Sequence, residues 1–147
     1  MPKTRDICFG TIHAVTRGMA RILIVDDTEI VRKALEVAVR RMGHEASSTS
    51  SALEALQLAQ WNPPDLALLD YRMPLMDGVT LFEALHFALG DRCPRVLFVS
   101  GSPPDEVRAC VEKTGLRPSG YVKKPFHLDE LTRTVEEALA CEQATTA

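Results

Sequence analysis

The chain has 147 residues, 46% of them hydrophobic and 25% charged, with 8 Gly and 9 Pro. That is one domain's worth of ordinary globular composition, which excludes collagen-like and disordered classes, and no apolar run approaches the length of a bilayer span. The formal net charge is −3, divided as plus two over residues 1–18 and minus five over the rest, without the Lys/Arg cluster that a phosphate backbone demands, so neither nucleic acid nor membrane is an expected partner.

The first stretch, "MPKTRDICFGTIHAVTRG", has a basic start and a short apolar centre, but Gly10, Thr11 and His13 interrupt that centre and no small-residue cleavage site follows. It reads as an N-terminal extension, residues 1–18, expected to be disordered and set apart from a domain at 19–141 and a tail at 142–147. Cys8, Cys93, Cys110 and Cys141 are irregularly spaced with no C-x-x-C pair. They are read as free thiols in a reducing compartment, which points to a cytoplasmic location.

From Arg21 onward, short apolar runs alternate with helical patterns. "ILIV" (22–25) is a continuous block too short for a helix and suits a strand buried on both faces. Val31, Leu35, Ala38 and Met42 then fall at helical spacing, and Gly43 stops that helix. "HEASS" (44–48) is polar enough for an edge strand, and Leu53, Leu56 and Ala59 stripe the second helix. "LALL" (66–69) is the third strand, followed by a helix carrying Phe82, Leu85 and Leu89. "VLFV" (96–99) is the fourth. Pro103, Pro104, Asp105 and Glu106 then suit the first turn of a helix lined by Val107, Cys110 and Val111. "GYVK" (120–123) is the fifth strand, and Leu128, Leu131, Val135 and Leu139 line the last helix. Five strands alternating with five helices give an α/β fold with a doubly wound parallel sheet and right-handed crossovers.

In such sheets ligands bind beyond the carboxyl ends of the strands. The first strand ends in Asp26 and Asp27, the third in Asp70, the fourth in Ser100, and the fifth in Lys123 or Lys124. Two carboxylates at 4 Å repel by about 4 kcal/mol at an effective dielectric of 20, so three converging acids call for a counter-ion. A partly open site of a few oxygen ligands suits Mg2+, with Asp27 coordinating directly, Asp26 through water, and Asp70 giving one oxygen while the other stays available as a nucleophile. Were Asp70 to attack phosphorus, the charge on the equatorial oxygens would be met by the cation, by Lys124 and by the Ser100 hydroxyl.

The ordered set "ILIVDD", "LLDYRMPLMDG", "VLFVSG" and "YVKKPF" resembles the receiver domains of two-component response regulators, over about residues 19–141. The resemblance implies a chemotaxis-regulator-like, flavodoxin-like sheet of strand order 2-1-3-4-5. It implies that Asp70 is the phosphoacceptor, served by a histidine kinase or phosphotransfer protein. Asp26 and Asp27, with Asp70 and the backbone carbonyl of Arg72, would hold Mg2+; Ser100 would be the switch hydroxyl, Tyr121 the switch aromatic and Lys124 the phosphate-contacting lysine. The Lys124–Pro125 bond would be cis, as is typical of the family. Such a domain catalyses its own phosphorylation and dephosphorylation without being a turnover enzyme. Phosphorylation would change the surface of the fourth helix, fifth strand and fifth helix for a downstream protein partner, with pairing of two copies through the same face as the oligomeric expectation. Family analogy places kinase specificity around Arg32, Lys33 and Glu36 on the first helix.

Each motif has a plainer reading beside it. Asp70 alone would be a strand-end acid opening a turn, with Pro74 and Asp77-Gly78 as turn residues; Ser100 alone a strand-terminal hydroxyl; Tyr121 a core tyrosine; and Lys123 a solvated neighbour. His44, His86 and His127 are assigned no chemistry. Two features depart from the family pattern: the stretch "KTGLRPSGYVKK" is long and contains Pro118, and Arg72 puts a long cation where the family controls water access. The alternative classes are a phosphorylation-independent interaction module of the same shape and, less favoured, a haloacid-dehalogenase-type phosphatase. The latter needs acids two residues apart on the first strand, where "DDTE" offers Thr28.

Overall fold

Consecutive apolar side chains on an extended segment point alternately to opposite faces, so a run such as Ile22 to Val25 is stable as a strand only between two apolar layers. The computed structural model, which describes residues 18–140, has this arrangement. β1 (Arg21–Val25), β2 (Glu45–Thr49), β3 (Leu66–Leu69), β4 (Arg95–Ser100) and β5 (Gly120–Lys123) form one sheet in the order β2-β1-β3-β4-β5. Every adjacent pair is parallel. The crossovers are α1 (Glu29–Arg41), α2 (Ala52–Trp61), α3 (Gly78–Leu89) and α4 (Pro104–Glu112), and α5 (Leu128–Ala140) follows β5.

The pleat divides each apolar run between two cores. Ile22, Ile24, Leu66, Leu68, Leu97 and Val99 meet Leu35 and Val39 of α1 and Leu131, Val135 and Leu139 of α5. Leu23, Val25, Ala67, Leu69, Val96 and Phe98 meet the buried faces of α2, α3 and α4. Because all five strands are parallel, their carboxyl ends share one edge, and every acid or hydroxyl that follows a strand is delivered to that edge.

The structure redraws several details. Where neighbouring strands supply ladder partners, β1 extends one residue before its apolar run and β4 one residue at each end of its own, and β2 runs 45–49 rather than 44–48. His44 therefore precedes the strand. Its buried ring closes the opposite edge of the sheet, with Nδ1 accepting from the Ala20 N–H at 3.1 Å and Nε2 at 3.2 Å from the Glu136 carboxylate. In α2 the inward stripe is Ala52, Ala55 and Ala59, while Leu53 is 59% exposed. Small residues let that helix lie close to the sheet, and the leucine spacing misled because Leu53 sits one position off the true face. Leu128 is likewise exposed, and Met42 caps α1 instead of belonging to it.

Among the described residues Cys93 and Cys110 are free and half-buried; Cys8 and Cys141 lie outside them, as do residues 1–17 of the extension and the whole of the tail. No helix of the described chain is long and apolar enough to cross a membrane.

Candidate functional site

β1 and β3 are hydrogen-bonded neighbours, and each ends in an acid at the same level. Val25 pairs with Leu69, so Asp26 and Asp70 emerge side by side, and the Asp70 N–H donates to the Val25 carbonyl at 2.9 Å. Asp26, Asp27 and Asp70 can each present an oxygen within 4.8 Å of the other two. The Lys124 ammonium enters from the far side of β4, 2.7 Å from Asp26 Oδ2 and 3.6 Å from Asp70 Oδ2. Its backbone is tied to β4, where the Lys124 N–H donates to the Ser100 carbonyl at 2.8 Å. The Lys124–Pro125 peptide is cis. Lys123 stays outside, its ammonium 3.3 Å from the Gly101 carbonyl.

The three acids differ in environment. Asp26 is buried, and both of its carboxylate oxygens are engaged: Oδ1 accepts from the Thr28 N–H at 2.9 Å, Oδ2 from Lys124. Arg32 braces the same residue by donating to its backbone carbonyl at 2.9 Å. Asp27 is exposed. Asp70 is buried, and its carboxyl is raised to about 6, first by loss of solvent and then by the Asp26 charge, partly offset by Lys124 and a backbone hydrogen bond from Tyr71. A carboxyl in that position gains from any added cation. The donors are all oxygens and the mouth is open on the Asp27 side, so the set fits a hard divalent ion such as Mg2+.

Ser100 is buried at the end of β4, and its Oγ accepts from the Ser102 N–H at 3.1 Å. Tyr121 is half-buried, its ring stacked on Phe98 with centroids 6.0 Å apart and the Arg108 guanidinium 4.7 Å from its own centroid. Burial raises the Tyr121 hydroxyl. The Arg72 side chain turns out of the pocket, donating to Ser102 Oγ at 3.2 Å and to Glu106 at 2.7 Å. His86 and His127 are exposed and, like His44, lie apart from the acid cluster's contacts.

Asp77 and Gly78, turn residues by sequence alone, also shape the site. Asp77 is the N-cap of α3, accepting from the Thr80 N–H at 2.8 Å, and Gly78 donates its N–H to the Tyr71 carbonyl at 2.8 Å. A Cβ on Gly78 would stand 2.2 Å from the Asp70 carbonyl oxygen, so only glycine lets α3 start against the strand that carries the acid. Gly78→Ala should therefore cost about 2–3 kcal/mol in urea unfolding, since the atom it meets is backbone. The signal in the sequence was the fixed distance from Asp70 to Gly78, legible only once the two ends were seen to touch. Thr28 and Arg32, which hold Asp26, were also missed as parts of the site.

The family model for the response regulator receiver domain matches residues 22–136. Among curated proteins, the chain is 38% identical over 119 residues to the regulatory protein AtoC of Escherichia coli K12, covering 81% of this chain and 25% of that one. The chain spans a quarter to about half the length of the curated relatives it matches. Among solved structures, it is similar to the Vibrio cholerae chemotaxis protein CheY4, with a TM-score of 0.75 and 25% identity over 83% of this chain and 100% of that one. The receiver domain of the sensor histidine kinase PA1611 from Pseudomonas aeruginosa PAO1 has a TM-score of 0.74 over 84% of this chain and 100% of its own. At 20% identity that likeness concerns the fold; its structure holds a magnesium ion in the active-site cleft.

Proposed function

The chain belongs to the response regulator receiver domain family, and on that premise we propose that it is a phosphorylation-switched signalling domain in which Asp70 accepts a phosphoryl group from a phosphohistidine on a histidine kinase or phosphotransfer protein. The observation that carries the reading is the grouping of Asp70 with Asp26, Asp27 and Lys124 in one pocket at the carboxyl ends of the strands. Asp26, Asp27 and Asp70, with the Arg72 carbonyl, would hold Mg2+, which supplies charge neutralisation for a trigonal phosphoryl group. An Asp70 oxygen forms the new P–O bond as the P–N bond to the donor imidazole breaks, and the electron pair leaves with the imidazole. Lys124, already beside Asp70, is placed to meet a second phosphoryl oxygen, and Ser100 at the end of β4 to donate to a third.

The switch proposed here is local. Drawing the Ser100 hydroxyl toward the phosphoryl group opens space beside Phe98 for Tyr121, and the surface of α4, β5 and α5 changes with it. That surface would control a downstream protein partner or output domain and offers a face for homodimerisation; a cytoplasmic setting accompanies the reading. The test is intact-protein mass after incubation with acetyl phosphate. A gain of one phosphoryl group in Mg2+ and none in chelator is the expected result. No gain under either condition would leave a receiver-shaped interaction module and overturn the switch.

A further inference from the structure

The two residues directly after Asp70 both leave the pocket and reach α4. The Tyr71 hydroxyl is hydrogen-bonded to Cys110 Sγ at 3.0 Å, and the Arg72 guanidinium lies 2.7 Å from the Glu106 carboxylate. Glu106 and Cys110 are one helical turn apart, so adjacent residues of the β3–α3 loop grip one stripe of α4 at two levels. The links brace each other, because the Arg72 guanidinium also lies 5.6 Å from the centre of the Tyr71 ring.

α4 depends on these contacts more than its neighbours do. It is nine residues long and buries only Val107 and Val111, against six buried residues on α3. A short helix with little apolar anchorage lies at the low-stability end of a fold, where a few polar links decide its position.

We propose that Tyr71 and Arg72 clamp α4 in the unphosphorylated state, with Glu106 and Cys110 as positioning residues, and that phosphorylation of Asp70 loosens the clamp, giving the signal a second route to α4 beside Ser100 and Tyr121. This rests on the function proposed above. A phosphoryl group brings roughly two negative charges to the residue two places before Arg72, against the single charge of Glu106. The Arg72–Ser102 contact is also tied to the switch hydroxyl, since the Ser102 N–H donates to Ser100 Oγ; movement of Ser100 carries Ser102 with it. A contact made only in the resting state must oppose phosphorylation by the same factor by which phosphorylation opposes it.

The test uses the full chain with Glu106→Gln and Cys110→Ala together, both on α4 and neither in the pocket. Amide exchange over residues 104–112 of the unphosphorylated protein should quicken by about three- to tenfold, and the rate of phosphoryl uptake from acetyl phosphate should rise by about two- to fivefold. In the phosphorylated state the variant should exchange like the wild type. Glu106→Gln alone keeps the shape of the side chain and should show the same pattern at smaller size. Unchanged exchange and uptake in the variants, with wild type labelled normally, would overturn the clamp alone. Faster exchange that persists equally after phosphorylation would mark the contacts as merely structural and overturn it too. Wild type that takes up no phosphoryl group would overturn the function reading and the coupling together.

Discussion

Replacing Asp70 by asparagine should stabilise the fold by about 3 kcal/mol at neutral pH in chelator while removing all phosphoryl uptake from acetyl phosphate. The carboxyl stands at about 6 in the folded protein against an ordinary value of 3.8, chiefly because it is buried and next to Asp26. Its folded value is raised, so the folded state binds the extra proton between about 4 and 6, and stability falls as pH rises through that window. Below it both states are protonated and the wild type carries no penalty; above it the charge is buried at full cost. Urea midpoints measured in chelator at pH 4 and pH 8 should therefore show a gap between wild type and Asp70→Asn that opens with rising pH. Added Mg2+ should close it from the wild-type side. A gap that is constant with pH would mean that the asparagine acts through packing and not through the removed charge.

Lys124→Ala should have the opposite effect, a loss of about 3 kcal/mol in chelator, because it leaves Asp26 at 1% exposure with its counter-charge gone. The ammonium is 2.7 Å from Asp26 and 3.6 Å from Asp70, so one side chain compensates both buried acids. The loss should be much smaller when Asp26→Asn is already present, and this non-additivity separates the electrostatic account from loss of the lysine stem. Mg2+ should restore more stability to Lys124→Ala than to the wild type, since it supplies the missing positive charge where the acids converge. Equal destabilisation in both backgrounds by thermal or urea unfolding would show that the pair is not coupled.

The apolar blocks 22–25, 66–69 and 96–99 were legible as strands because a doubly covered strand has no polar positions to break the run. Placing acids at the ends of such runs, in a parallel sheet, was enough to foresee that Asp26, Asp27, Asp70, Ser100 and Lys124 share one edge. Leu53 shows where the same reasoning failed. Helical spacing of leucines competes with close packing of alanines, and only the distance of α2 from the sheet decides which stripe faces inward. The partners of Arg72 were not legible either: the resemblance marks its position as one that governs water access, and only the structure shows its side chain reaching Glu106 on another element.

The sequence by itself determined the family, the α/β alternation, the strand order through its resemblance, and the residue types gathered around Asp70, since periodicity and ordered motifs are local properties of the chain. Tertiary structure alone decided that Asp26 has both oxygens occupied while Asp27 faces solvent, that Gly78 is required by the Asp70 carbonyl, and that Tyr71 and Arg72 grip α4. Each of these depends on the distance between segments far apart in the chain. Such distances are set by how the two cores pack, and no short pattern of residues encodes them.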